Sequence, residues 1–338
     1  MITALDQPIP ADVLAFLDQT VSSRGARHWQ WKYGRGSAAA PAAFYWRDGD
    51  GRVLGFIGLM RTALRTASGA SPAAWFVDWY VAPGQPGIGM GLLRKAEASA
   101  GILLTLQGSA DTRQILPRLG WKESQTPVTW SRPLSPRFVG EWLARQAPAA
   151  LAPLARLAGP LAALALRPRR APRPAGGELV AVDRLPASYD AVGDARAAEA
   201  TAMRRDSDYL NWFCADYPDG GYRLWLVRRD GADVGHLVTR CAADRQQRRR
   251  GRIVDLAWPW TDAALGGWLL SEAVDALRRE GADYVECLAS TAPLTDVLAA
   301  AGFRRRAAVP LWYHRPPSGL PEPDRWHITL LDCDRAYR

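Results

Sequence analysis

Cysteine and histidine are scarce in this chain, with four of each in 338 residues. Cys214, Cys241, Cys287 and Cys333 all lie in the second half and form no C-x-x-C pair. Neither a zinc site nor a disulfide framework is indicated, and reduced thiols are expected. His28, His236, His314 and His327 show no metal-ligand spacing, so no metal is expected. Long apolar runs are missing too: Leu151–Leu166 is interrupted by Pro153, Arg156 and Pro160, which excludes a transmembrane helix there. The opening Met1-Ile-Thr-Ala-Leu-Asp lacks a basic segment followed by an apolar run, so a cytoplasmic location is expected. A Walker loop ending in Gly-Lys-Ser/Thr and a G-x-G-x-x-G dinucleotide fingerprint are both absent.

Aromatic and basic residues are plentiful. The chain holds 15 tryptophans, and 43 Lys and Arg against 34 Asp and Glu give a net charge of +9. At roughly 100–200 residues per domain, the length predicts two domains, each able to form a core. Trp75-Phe-Val-Asp-Trp-Tyr-Val81 reads as a strand of period two. Trp75, Val77, Trp79 and Val81 would share one face, with Phe76, Asp78 and Tyr80 on the other. Directly after it comes Ala-Pro-Gly-Gln-Pro-Gly87-Ile-Gly89-Met-Gly91, which opens a helix over about Gly91–Ala100. Glycines at a helix entrance expose backbone N–H groups at its positive end, an arrangement suited to a pyrophosphate. A strand at Ile102–Leu106, a helix at Asp111–Arg118 and Leu119-Gly120-Trp121 follow.

The same landmarks recur. Trp31, Gly55, Asp78 and Gly120 are spaced by 24, 23 and 42 positions; Trp212, Gly235, Asp255 and Gly302 are spaced by 23, 20 and 47. Four ordered landmarks at similar spacing predict an internal duplication. In the second copy no glycine loop follows Val254-Asp255; Gly266-Gly267 come too late. That copy is expected to contribute shape only. Its Trp212, Trp225, Trp258, Trp260 and Trp268 belong either to the core or to a groove between domains.

The order of strand, V-x-P, G-x-G-x-G, helix, strand, helix and Leu-Gly-aromatic resembles the GNAT (GCN5-related N-acetyltransferase) superfamily. The duplication, with Trp29-Gln-Trp-Lys-Tyr33, Arg204–Trp212 and Trp326–Asp334, looks like tandem GNAT-like proteins found with bacterial polysaccharide biosynthesis. The resemblance implies an α/β (α+β) class with two tandem domains, each a mixed, mostly antiparallel sheet flanked by helices. The N-terminal GNAT-like domain would span 1–135, an Ala/Leu/Pro/Arg-rich helical linker 136–177 and a C-terminal domain with a degenerate loop 178–338. It further implies acyl transfer from acetyl-CoA or another acyl-CoA to an amine or hydroxyl of a small metabolite or activated sugar. The cofactor residues would be Tyr80, Val81, Gln85, Gly87, Ile88, Gly89, Met90, Gly91 and Leu92, with an amide near Tyr80 or Val81 on the acyl oxygen. Asp78 would be the base. The family's tyrosine acid, four residues before the Leu-Gly-aromatic glycine, is replaced by Leu116 here and by Leu298 in the second copy, so either the thiolate leaves without that proton donor or another group such as Tyr80 acts as the acid.

Other readings stay open. A non-catalytic binding or scaffold protein fits the missing tyrosines, and a Fem-like aminoacyl-tRNA-dependent transferase would use the basic surface. The cluster Arg248-Arg-Arg-Gly-Arg252 reads as a solvated hairpin turn between strands at Asp233–Arg240 and Arg252–Trp258, with no zinc-finger or RRM signature beside it. Nucleic acid is therefore the less favoured partner. The segment 147–170 reads as an Ala/Leu helical hairpin between the domains, with a peripheral membrane contact as the alternative.

Overall fold

The computed structural model describes residues 1–37, 39–157, 159, 161, 170–197, 199–314 and 325–337. The first half runs β1 (Ile2–Ala4), α1 (Ala11–Thr20), α2 (Ala26–Tyr33), β2 (Ala43–Arg47), β3 (Val53–Thr66) and β4 (Gly69–Val81). It continues through α3 (Ile88–Ser99), β5 (Ile102–Leu106), α4 (Ala110–Arg118), β6 (Lys122–Ser124) and β7 (Val128–Pro133). Helices α5 (Pro136–Gln146) and α6 (Ala152–Leu157) then lead to β8 (Gly177–Val182), α7 (Asp190–Ala197), β9 (Thr201–Met203) and α8 (Ser207–Leu210). A π-helical turn, Asn211–Ala215, precedes β10 (Tyr222–Arg229), β11 (Ala232–Ala243) and β12 (Arg249–Ala257). The chain closes with α9 (Ala263–Arg279), β13 (Tyr284–Ala289), α10 (Ala292–Ala300), β14 (Arg304–Ala308), β15 (Leu311–His314) and β16 (Trp326–His327).

These elements form two mixed, mostly antiparallel sheets flanked by helices. The first has the order β1-β2-β3-β4-β5-β15-β6, with β9 along one end of β3 and β16 beside β9; the second has the order β14-β7-β13-β12-β11-β10-β8. The first sheet takes β9, β15 and β16 from the second half, and the second takes β7 from the first. β7, from the first half, lies between β13 and β14, and β15, from the second half, lies between β5 and β6. At these four strands sheet membership does not follow the chain-order division at 135 and 177.

Three apolar cores result. Ile88, Leu92, Leu93 and Leu116 bury one face of the first sheet under α3 and α4. Trp258, Leu265, Leu269 and Leu298 do the same for the second sheet under α9 and α10. The inner faces share a single core holding α1, α2, the π-helical turn and the C-terminal segment. At its centre the duplication is visible as a reciprocal contact. The Trp31 indole donates to the Trp212 carbonyl at 2.8 Å, and the Trp212 indole donates to the Trp31 carbonyl at 3.0 Å. The rings stack at 5.3 Å. Two matched residues exchanging the same bond is the pattern of a two-fold, self-complementary interface.

The linker helices belong with the second lobe: Phe138 on α5 stacks on Tyr284 of β13 at 4.7 Å. Residues 158, 160 and 162–169, part of the segment read as a hairpin or membrane contact, lie outside the described residues. Among the described residues, no helix is long and apolar enough to cross a membrane.

Candidate active site

β4 is where the first sheet opens. It pairs with β3 along its whole length, but its parallel ladder with β5 ends at Trp75↔Leu104. Beyond that point, two residues of β4, Asp78 and Trp79, stand opposite Ile57 alone, between the pairs Gly58↔Val77 and Phe56↔Tyr80. This is a β-bulge, which bends a strand and re-aims its side chains. Asp78 occupies it at φ +51°, in the left-handed region that aspartate tolerates better than most residues. The bulge corrects the strict alternation expected from the sequence. Trp75 and Val77 face the shared core, but Trp79 and Val81 switch to the α3 side and Tyr80 takes the inner face. Asp78 also turns inward, to α2.

There its carboxylate accepts hydrogen bonds from the Lys32 ammonium and from the Tyr33 hydroxyl, the latter at 2.5 Å. The Asp78 and Lys32 side chains are only 2% and 1% exposed. Lys32 also lies 3.8 Å from Asp334 and within 5.2 Å of the Tyr337 ring centre. His28, one turn earlier on α2, is buried, and its Nδ1 has no hydrogen-bond partner among the described residues. Burial, reinforced by Lys32 and Arg24, pushes its pKa down to about 4, so its imidazole is neutral at pH 7.

These groups floor a cleft of ≈ 1090 Å³ between the lobes. Phe76–Tyr80 and Thr105–Ser109 form one wall, the two sides of the β4/β5 opening; β11, β12 and the C-terminal segment form the other. Asp78 and Tyr80 both line the cleft, and Tyr80 packs edge-on to Phe16 at 5.9 Å. The loop residues predicted to hold a cofactor lie elsewhere. Gln85 and Gly87 are exposed at the entrance to α3, while Ile88 is buried and can offer only its amide, and Leu92 is buried with its amide inside the helix.

The entrance to α3 suits an anion. Gly87 stands at φ +85°, no side chain caps the helix, and an added Cβ would find no atom within 4 Å. The Trp79 indole donates to the Gly89 carbonyl at 3.1 Å and fixes the loop against β4. The matching helix of the second lobe differs. The Asp262 carboxylate caps α9 by accepting from the Leu265 amide at 2.9 Å, which fills the position with negative charge. Gly266 serves packing instead, since a Cβ there would fall 2.5 Å from the Trp258 ring.

The second lobe repeats the opening and then closes it. The β12–β13 ladder stops at Ile253↔Cys287, and Val254 is the extra residue beside Asp255. Residues Trp326–Asp332 fill this gap. Ser290 bridges the Trp326 carbonyl at 2.5 Å and the Ile328 amide at 2.8 Å, and the Leu331 amide donates to the Val254 carbonyl at 3.0 Å. Asp255 is wholly buried against Arg205 at 2.7 Å and His236 at 3.0 Å. Despite its burial, these partners hold its carboxyl well below the usual range.

Two further expectations change. Arg249–Arg252 lie in strand β12 instead of a turn, and Arg252 is buried. Of the five tryptophans offered for the core or a groove, Trp212, Trp258 and Trp268 are core, Trp225 and Trp260 pack against it, and none lines the cleft. Leu116 and Leu298 are also fully buried. Sequence reasoning missed Lys32 and Tyr33 as partners of Asp78. The one available signal was a lysine between aromatic residues, Trp31-Lys-Tyr33.

Among the described residues, no group of three His, Cys, Asp or Glu side chains is placed to hold a metal. No family model matches the sequence, and neither does any curated protein. Solved structures do share its architecture. A GCN5-related N-acetyltransferase from Anabaena variabilis ATCC 29413 superposes with a TM-score of 0.62 at 12% identity, over 93% of this chain and 72% of that one. Saccharomyces cerevisiae N-myristoyltransferase, solved with bound myristoyl-CoA and inhibitors, gives 0.59 at 9% identity, over 97% and 84% of the two chains. A GCN5-related N-acetyltransferase from Kribbella flavida gives 0.56 at 14% identity, over 93% and 70%. At such identities the likeness speaks for architecture: the chain has the GNAT fold twice over, as two lobes with exchanged strands.

Proposed function

We propose that this chain is an acyl-CoA-dependent acyltransferase whose first lobe binds the donor and whose interlobe cleft receives the acceptor. The observation that carries the reading is the contrast between the lobes. The first has an open β4/β5 gap beside an uncapped glycine helix entrance, and the second has the same gap filled and its helix capped by a carboxylate. The free amides at the helix entrance, those of Gly87, Ile88, Gly89 and Met90, cradle the pyrophosphate with Gln85 flanking, whereas the Gly91 amide is taken by the Gly87 carbonyl at 3.0 Å. Acyl-CoA supplies an activated thioester carbonyl. The bulge in β4 turns a backbone amide near Tyr80 or Val81 toward it, a preorganised donor for developing negative charge.

As the bond to the acceptor nitrogen or oxygen forms and the C–S bond breaks, one proton leaves the acceptor and one reaches the thiolate. Asp78, oriented by Lys32 and Tyr33, takes the first, and Tyr80 gives the second. The acceptor is a small metabolite or activated sugar bearing an amine or hydroxyl. Free-thiol release from acetyl-CoA and longer acyl-CoAs, followed against a panel of such acceptors, tests the reading. Acceptor-dependent release that falls at least tenfold in Tyr80→Phe, with CoA affinity kept, is the expected result. Binding of CoA with no thiol release from any donor and acceptor pair would favour the scaffold reading, which the absence of a tyrosine at Leu116 supports.

A further inference from the structure

The cleft wall facing Asp78 and Tyr80 is unusually basic. Eight cationic side chains line the cleft against four carboxylates. Arg250 and Arg252 project from the same face of β12, and Arg240 stands directly across from Arg252 on β11. Like charges opposed across a sheet weaken it, and Arg240 is held besides by the Tyr217 and Tyr222 rings, at 4.8 and 5.0 Å from their centres. Within the protein these groups meet both neutral and charged partners. Arg240 and Arg252 both donate to one neutral carbonyl, that of Ala336, at 3.3 and 2.9 Å. Arg250 meets Glu286 at 3.6 Å. Arg335 donates to the neutral Gln107 side chain at 2.6 Å, and its Nε is buried with no hydrogen-bond partner among the described residues. Burial holds its guanidinium below the ordinary arginine range. Arg245 projects from the adjoining turn, exposed and without an ion pair among the described residues.

We infer that Arg240, Arg245, Arg250, Arg252 and Arg335 form an anion subsite of the acceptor, which is therefore a phosphate- or diphosphate-bearing small molecule. Several guanidiniums converging from two strands and a third segment match an anion with several oxygens and more than one charge. The subsite is separate from the donor's pyrophosphate loop: no residue of 84–91 lines the cleft. It lies on the inner face of the sheet, whereas α3 covers the outer face. A phosphoryl group anchored there leaves the rest of the acceptor extending toward Asp78. The inference rests on the proposed function for the word acceptor, but the anion subsite stands on its own geometry.

The test is calorimetric titration of the full chain with inorganic pyrophosphate and, separately, with CoA. Three proteins are compared: wild type, Gly87→Asp, and an Arg245→Gln/Arg250→Gln double variant, with Arg245→Gln alone as the mildest change. Pyrophosphate binding that survives Gly87→Asp but weakens at least tenfold in the double variant, with CoA affinity unchanged, is the expected result. Arg245 is exposed and Arg250 half-buried, so both variants should fold, which thermal melting checks. Pyrophosphate binding indifferent to the arginines, or no binding at all, would overturn the inference. A parallel loss of CoA would also overturn it, by assigning the wall to the donor, and tRNA binding in place of pyrophosphate would do so as well. Loss of CoA binding alone in wild type, with pyrophosphate retained on the arginines, would sink the acyltransferase reading and leave the anion subsite standing.

Discussion

At the scale of single residues, the buried Lys32–Asp78 pair sets the character of the site. Two charges held away from water at 1% and 2% exposure depend on each other. Removing one member of such a pair strands the other and costs about 3–5 kcal/mol. Asp78→Asn is therefore expected to destabilise the protein by about that much in urea unfolding. Adding Lys32→Met should restore much of the loss. If the double variant folds, binds CoA and fails to turn over, the catalytic role of Asp78 is separated from its structural one. His28 gives a second prediction. With its pKa lowered to about 4 from an ordinary 6.5, the unfolded chain binds the extra proton between those values. The stability His28 contributes is complete above about pH 6.5 and is lost as pH falls toward about 4. Unfolding measured across that window should show a slope shallower in His28→Gln by up to one proton, about 1.4 kcal/mol per pH unit. An unchanged slope would mean that the imidazole titrates normally.

At the scale of elements, the outcome turns on what each helix entrance and each strand opening is given to hold. Asp262→Ala should lower second-lobe stability by about 0.5–2 kcal/mol, as N-cap losses do, without altering CoA affinity. The sequence was legible here where local chemistry decided. The glycines before α3, the strand Ile102–Leu106 and the paired landmarks Trp31 and Trp212 all depend on residue type and spacing. It misled where tertiary geometry decided. A period-two pattern carries no sign of a one-residue bulge, so it places Trp79 and Val81 on the face of Trp75, whereas the bulge turns them to the other. An arginine run reads as a turn until the sheet places alternate members on a cleft wall. The carboxylate partners of Lys32 lie 46 residues away in β4 and, in Asp334, at the far end of the chain. No local pattern could have paired them.

At the scale of the molecule, the strand exchange ties the halves into one folding unit. Without β15, β5 keeps only its short ladder with β4 and β6 loses its partner; without β13 and β14, β7 has no sheet to join. Residues 1–135 expressed alone would expose unpaired strand edges and half of the shared core, a combination that promotes aggregation. That fragment is expected to be insoluble or to lack cooperative unfolding, whereas the whole chain should unfold in one transition by calorimetry. Two separate transitions would show that the shared core does not couple the lobes.

The central claim is that the first lobe alone carries a donor site, at the glycine entrance to α3. Gly87 is the position to change. A side chain there meets no neighbour, whereas at Gly89 an added Cβ would already press on Val81 at 3.2 Å and Trp79 at 3.4 Å. Aspartate tolerates a left-handed backbone better than most residues and places a carboxylate where the phosphates would sit. Calorimetric titration of CoA into wild type and Gly87→Asp, with melting curves to confirm that both are folded, is the most direct measurement. The account predicts micromolar binding to wild type and a loss of at least tenfold in the variant. No binding to wild type, or equal binding to both folded proteins, would contradict it.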